Sequence, residues 1–219
     1  MAFLPQACLF DLDGVIVDTA KYHFIGWQRL AEELGVPFTH EDNEQLKGVS
    51  RVGSLEYILA KGGLELDNDT KVRLMDRKNA WYLELVGGMS PDELFPGVVE
   101  FMDELIGAGI QVGLGSSSRN APLILELCGI ADRFGTIVDG NSITFSKPDP
   151  EVFLKGAEAL GVKPEHCVVF EDAVSGVQAA RNGGFRIIGV GDAASLTEAE
   201  FVIPGFEDFT LKTMVERLS

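Results

Sequence analysis

Asp11 and Asp13 stand two residues apart directly after the apolar run ACLF, and Glu171 and Asp172 stand side by side directly after CVVF. Ser116, Ser117 and Ser118 follow a third apolar run, and Lys147 lies in SKPDP, just before an amphipathic segment. Brought to one place, these carboxylates repel one another, and each would cost several kcal/mol if buried unpaired. A divalent cation resolves that conflict. All-oxygen ligands from Asp and Glu, with no His or Cys nearby, favour Mg²⁺, which takes few carboxylates and completes its shell with substrate phosphate oxygens. Lys147 and the serine hydroxyls can then hold a phosphoryl group against the metal, so the chemistry implied is phosphoryl transfer. A carboxylate held rigidly at a strand end can attack as a nucleophile and form an aspartyl phosphate, the role that suits Asp11. Asp13, past the strand end, can face the entering or leaving oxygen as general acid and then general base.

Those side chains meet only if separate strands end side by side, as they do at the carboxyl edge of a parallel sheet. After Pro91 the sequence alternates accordingly. Val98, Phe101, Leu105 and Ile106 form a helical face closed by Gly109, and a strand over 110–114 follows. Helices are predicted near 122–128, 151–160, 175–182 and 211–218, with strands near 136–138, 167–170, 185–190 and 201–203. This is the pattern of a doubly wound, mostly parallel Rossmann-like α/β sheet, to which strand 7–10 belongs. Between 18 and 86 the texture is helical. Phe24, Trp27, Ala31 and Leu34 lead to Gly35, Leu55, Ile58 and Leu59 lead to Gly62, and Val72, Met75, Tyr82, Leu85 and Val86 lead to Gly87. Three amphipathic patterns with glycine stops describe an inserted helical unit. The expected division is an α/β core of residues 1–16 and 89–219 and a helical domain of residues 17–88.

The 219 residues carry 34 Asp and Glu against 18 Lys and Arg, a net charge of −16. Such a surface repels the phosphate backbone, so neither nucleic acid nor an anionic membrane is an expected partner. An anionic ligand would need a local cation site. The N-terminal MAFLPQACLF lacks a basic segment and runs into Asp11, which fits neither a signal peptide nor a membrane span. Cys8, Cys128 and Cys167 are odd in number and widely spaced, the mark of reduced thiols in a cytoplasmic protein. A monomer that binds a small molecule is expected.

DLDG followed by Asp18 and Thr19, GSSS, SKPDP and FEDAVSGVQAA, in this order, resemble the motifs of the haloacid dehalogenase-like phosphotransferases across the whole chain. The resemblance implies Asp11 as nucleophile, Asp13 as acid/base, Ser116 and Lys147 on the transferring phosphate, and Asp11, Asp13, Glu171 and Asp172 at Mg²⁺. Thr19 belongs to the same catalytic set, and the helical insertion is implied to be a cap. Within the insertion, DTAKYHFIGW, NEQLKGVSRVGSL and DRKNAWY resemble the β-phosphoglucomutase branch. That likeness makes His23 a partner of Asp13 and puts Lys47, Gly48, Val49, Ser50, Arg51 and Ser54 in a loop reading the sugar and its distal phosphate. Lys78, Ser117, Ser118, Arg119 and Asn120 would complete the pocket. The branch implies interconversion of β-glucose 1-phosphate and glucose 6-phosphate, with β-glucose 1,6-bisphosphate as activator and intermediate. Ser117 and Arg119 stand where alanine and lysine are common in such relatives.

Other readings compete. A sugar-phosphate phosphatase of the same superfamily would share the core motifs, and a phospho-accepting signalling receiver would share the acidic site but have no use for the insertion. His23 on its own could be a packed histidine, and His40 and His166 read as surface residues. The Phe24, Trp27 and Leu34 stripe reads as core of the helical unit. GVGDAA at 189–194 matches a dinucleotide fingerprint, but too little chain follows for the rest of that unit.

Overall fold

The computed structural model describes residues 3–219. Six strands form one parallel sheet: β1 (Ala7–Phe10), β2 (Gln111–Gly115), β3 (Thr136–Val138), β4 (Cys167–Glu171), β5 (Arg186–Val190) and β6 (Phe201–Ile203), in the order β3-β2-β1-β4-β5-β6. β1 is fully buried and central. Its Phe10 lies level with Leu114 of β2 and Phe170 of β4, so the residues after it emerge between two other strand ends. The strand order reverses there, and a crevice at the carboxyl edge follows from that reversal.

Alternation along β1 feeds two cores. Cys8 and Phe10 join one face, covered by α5 (Val98–Gly107), α6 (Ala121–Leu127) and α9 (Leu211–Leu218), while Ala7 and Leu9 join the other, under α7 (Glu151–Leu160) and α8 (Val174–Asn182). Phe10 stacks on Phe170 with ring centroids 4.7 Å apart, and Phe101, Phe206 and Phe209 close around the pair. Side chains of this size contribute about 1.5–3 kcal/mol each on burial, which clamps β1 against β4 at the point where the chemistry begins.

Residues 20–86 form α1 (Ala20–Glu33), α2 (His40–Gln45), α3 (Arg51–Gly62) and α4 (Asn68–Val86), with no strand among them. Three of these answer to the amphipathic patterns of the sequence. The fourth, α2, has only six residues and no apolar stripe, so periodicity misses it; a capping box between Thr39 and Asp42 starts it. Asp42 also accepts from Tyr57 at 2.7 Å and Lys61 at 2.5 Å, tying α2 to α3. Trp27, Leu30, Leu55, Ile58, Leu59 and Leu74 make a core separate from the two around the sheet. Phe24 and Leu34 pack against it, as the stripe predicts. The two connections to the sheet run alongside each other: Val17 bridges Leu94, Phe95 N–H donates to Ile16 O, and Glu93 accepts from Lys21 and Tyr22. No described helix is long and apolar enough to cross a membrane.

Candidate active site

The carboxyl ends of β1 and β4 put Asp11, Glu171 and Asp172 together, with one oxygen of each within 4.8 Å of the others. Lys147 reaches between them, donating to Asp11 Oδ1 at 2.5 Å and Glu171 Oε1 at 2.6 Å. Ala173 N–H donates to the other oxygen of Glu171 at 2.7 Å. Burial works against a charge on Lys147, but the two carboxylates outweigh it and hold the ammonium above its usual range. Burial, opposed by Lys147 and aided by Asp11, pushes Glu171 up, and burial together with Glu171 pushes Asp172 well up. Gly14 is required here: its φ is +80°, and a Cβ would come within 2.5 Å of the Asp172 carboxyl carbon.

A hard divalent cation fits this centre. Of three clustered carboxylates, two bond one buried lysine and the third meets only Lys47 at 3.6 Å, two of them resist ionisation, and every donor is oxygen. The Asp13 carboxyl, expected among the ligands, is not part of the set whose oxygens converge. Its Oδ1 is buried with no hydrogen-bond partner, and burial first and the neighbouring Asp11 second raise its pKa to about 7. An unpartnered oxygen whose pKa lies near neutrality can give or take a proton at the crevice.

His23 faces the same space from α1. Its Nδ1 lies 2.9 Å from Lys78 Nζ and its ring stacks on Tyr82 at 4.3 Å, while no hydrogen bond joins it to Asp13 among the described residues. The expected Asp13 pairing is therefore replaced by Lys78. Burial, then Lys78 and Arg51, hold the imidazole well below its ordinary pKa, so it stays neutral and accepts from the ammonium. Lys78 is 3% exposed and lies over the Trp27 ring at 4.6 Å and the Tyr82 ring at 4.8 Å. Burial and then Arg51 pull it down from 10.5 to about 7.

On the helical side of the same cavity, α3 starts at Arg51, with Ser50 capping Gly53 N–H. Arg51 Nη2 donates to Asn79 Oδ1 at 2.7 Å, and Asn120 Nδ2 donates to the same oxygen at 2.9 Å. Arg119 is exposed at the rim, and with burial it lowers the Arg51 guanidinium. Lys47 lies 2.9 Å from Glu44 and 3.6 Å from Asp172. The loop between α2 and α3 touches the sheet unit directly: Ser117 Oγ donates to Gly48 O at 3.1 Å and Ser175 Oγ to Lys47 O at 3.3 Å. Gly48 has φ +71° and sits against Ser175, leaving no room for a side chain.

These elements enclose a cavity of about 690 Å³. Asp11, Asp13, His23, Lys47, Gly48, Val49, Ser50, Arg51, Ser54, Lys78, Ser116, Ser117, Ser118, Arg119, Asn120 and Asp172 all line it. Lys147 and Glu171 stand just behind, and Thr19 is wholly buried with its hydroxyl unpartnered, off the cavity wall. Three features escape the sequence reading. Asn79 lines the wall beside Lys78, Trp27 of the helical core also reaches it, and the segment after β5 contributes Gly191, Asp192 and Ser195. Gly191 and Asp192 belong to the dinucleotide-like GVGDAA, and no helix lies between β5 and β6 to present a phosphate-binding N-terminus. Asn79 lies inside DRKNAWY, so its neighbour Lys78 was the available signal.

A model of the haloacid dehalogenase-like hydrolase family matches residues 5–184. The chain belongs to that family. The match runs through the helical insertion, which removes the signalling-receiver alternative. The chain is 43% identical to a β-phosphoglucomutase of Bacillus subtilis over 96% of its own length and 94% of that protein's. It is 33% identical to a phosphorylated carbohydrates phosphatase of Thermotoga maritima, over 89% and 91%. The crystal structure of β-phosphoglucomutase from Clostridium difficile superposes with a TM-score of 0.95 at 34% identity, covering 98% of this chain and 97% of that one. These likenesses put the chain in the β-phosphoglucomutase branch, an α/β enzyme of phosphoryl transfer.

Proposed function

We propose that the protein interconverts β-D-glucose 1-phosphate and glucose 6-phosphate through an aspartyl-phosphate enzyme and β-glucose 1,6-bisphosphate. The observation that carries this reading is the pairing, in one cavity, of an acidic centre around Asp11 with a separate cation cluster of Arg51, Lys78 and Arg119. None of those three cations has a carboxylate within ion-pair distance among the described residues, so an anion can be held there while a phosphoryl group sits at Asp11. A mutase must hold both ends of its bisphosphate in turn.

Residues 17–88 act as a cap over the core of residues 1–16 and 89–219, a division supported by the separate helical core and the paired connections. Mg²⁺ held by Asp11, Glu171 and Asp172 would neutralise the clustered carboxylates and polarise the transferring phosphoryl oxygens. Asp11 attacks a phosphorus of the 1,6-bisphosphate and becomes phosphorylated as the P–O bond to the sugar oxygen breaks and the sugar monophosphate leaves, with Ser116 and Lys147 aligning its carboxylate and the phosphoryl oxygens. Asp13 takes the proton from the 6-hydroxyl of β-glucose 1-phosphate as that oxygen accepts the phosphoryl group. After the bisphosphate reverses in the site, Asp13 returns a proton to the departing 1-oxygen. Neutral His23, anchored by Lys78 and stacked on Tyr82, forms part of the cavity wall. Cap contacts through Gly48 and Lys47 close the mouth, which favours transfer to sugar over hydrolysis. We expect a monomer working in the reducing cytoplasm, where the three buried, free cysteines would stay reduced.

The test supplies Mg²⁺, β-glucose 1-phosphate and a trace of the 1,6-bisphosphate. Rapid glucose 6-phosphate formation supports the mutase. Release of inorganic phosphate instead would support the second reading, a sugar-phosphate phosphatase, which the Thermotoga maritima relative favours.

A further inference from the structure

Asn79 has no part in the catalytic set drawn from sequence, yet its side-chain oxygen is the junction of the distal end of the cavity. Oδ1 accepts from Arg51 Nη2 at 2.7 Å and from Asn120 Nδ2 at 2.9 Å. Arg51 and Asn79 belong to the helical unit, α3 and α4 respectively, whereas Asn120 caps α6 on the sheet unit and is itself held by Ser118 Oγ through its backbone N–H at 3.3 Å. A carbonyl oxygen has two lone pairs, and both are used here: one orients the guanidinium, the other grips the opposite wall. When the two units part, Asn120 leaves and that second anchor goes with it.

The chemistry of the acceptor matters as much as its place. Arg51 is half-buried, repelled by Arg119, and bonds no carboxylate among the described residues, Asp76 acting on it only from beyond ion-pair distance. A neutral amide fixes the guanidinium fork while leaving its whole charge, and its remaining N–H groups, for an incoming anion. A carboxylate at the same position would orient the fork equally well but neutralise it and repel a phosphate. Lys78 follows the same logic one residue earlier, its ammonium bonded to a neutral imidazole.

Resting on the functional reading above, we propose that Asn79 is a positioning residue that couples cap closure to recognition of the substrate's distal phosphate, by presenting Arg51 in its phosphate-binding orientation only when Asn120 is docked. It touches no reacting atom. It acts through Arg51.

The experiment compares the wild-type full chain with Asn79→Leu, which removes the acceptor at similar volume, and Asn79→Asp, which restores the acceptor and adds charge. Three quantities are measured with Mg²⁺ present: calorimetric affinity for glucose 6-phosphate, KM and kcat for β-glucose 1-phosphate, and the rate of Asp11 phosphorylation by acetyl phosphate, a donor with no second anion. Asn79→Leu is expected to weaken glucose 6-phosphate binding and raise KM by about tenfold, while phosphorylation by acetyl phosphate changes by less than about twofold. Asn79→Asp is expected to raise KM at least as much. The proposal is overturned if Asn79→Leu leaves KM and affinity within twofold of wild type, if it slows the acetyl phosphate reaction in equal measure, as a merely structural residue would, or if Asn79→Asp restores wild-type KM. A wild-type chain that neither binds nor makes glucose 6-phosphate overturns the functional reading beneath it, a result distinct from all three.

Discussion

Replacing Lys78 by methionine should make the protein more stable and less active, and the two effects should separate with pH. The ammonium is 3% exposed, and burial followed by the charge of Arg51 pulls its pKa from 10.5 to about 7. At about 1.36 kcal/mol for each pH unit, a displacement of this size sets an unfavourable contribution of about 5 kcal/mol when the lysine is charged in the fold. The unfolded chain keeps the proton up to 10.5 whereas the folded chain releases it near 7. The cost is therefore complete below pH 7, declines between pH 7 and 10.5, and is gone above. Against it stand the bond to His23 and the placements over Trp27 and Tyr82, together worth about 1–3 kcal/mol. Methionine keeps the length and the apolar stem but carries neither charge nor donor. Lys78→Met should gain about 2–4 kcal/mol in urea unfolding at pH 6 without ligand, and lose that gain toward pH 10. Turnover of β-glucose 1-phosphate should fall at least about tenfold, because His23 loses its anchor and the cavity loses a cation that faces both Asp13 and Arg51. A variant less stable than wild type at pH 6, or a stability difference that does not change with pH, would refute the argument that this lysine is held charged at a cost for the sake of its ligand.

Asp11→Asn should reduce turnover by at least about a thousandfold and leave no phosphorylated protein detectable by mass spectrometry after acetyl phosphate treatment; near-normal turnover without reversion of the amide would remove Asp11 from its role. Mg²⁺ should raise the melting temperature relative to chelator because it relieves the repulsion among Asp11, Glu171 and Asp172, and Asp172→Ala should abolish that rise while making the chelated protein no less stable than wild type. With Asp13 at about 7 and its carboxylate form needed to take the 6-hydroxyl proton, kcat/KM for β-glucose 1-phosphate should climb as pH rises through about 7 and level off above it. Asp13→Asn should erase that limb and not merely shift it.

What the sequence makes legible is set by how local each signal is. The strands at 7–10, 136–138 and 201–203 coincide with the elements found, because short apolar runs between turn residues leave little choice of register or type. Asp11, Glu171 and Asp172 can be assigned to one site because a parallel sheet forces strand ends together. Helix α2 has too few residues for periodicity and shows itself only through a capping box whose third position is Asp instead of the commoner Glu or Gln. Asn79 and Ser175 act through one oxygen each, across gaps of 41 and 128 residues in the chain, and no pattern along the sequence encodes such a contact. The contact of His23 with Lys78 is hidden for the same reason: Lys78 lies 55 residues away on another helix, and only the packing of α1 against α4 brings the two together.

The distribution of charge carries the argument one step further. In a chain of net charge −16, carboxylates are abundant, and most lysines and arginines find one: Lys21 with Glu93, Lys61 with Asp42, Arg77 with Glu33, Arg133 with Asp103, Arg186 with Glu200. Arg29 and Arg217, which find none, lie over aromatic rings instead, and Arg73 bonds the hydroxyl of Thr70. Arg51, Lys78 and Arg119 are different, since all three line one cavity, and the two that are withdrawn from solvent are anchored by the neutral acceptors Asn79 and His23. Leaving positive charge unpaired inside an acidic protein opposes stability, since a buried cation keeps its desolvation cost without the attraction of a partner. The arrangement is intelligible as a site whose counter-ion arrives with the substrate, and it is why the same residue that the fold holds at a cost is the one whose removal should stabilise the chain and weaken its chemistry.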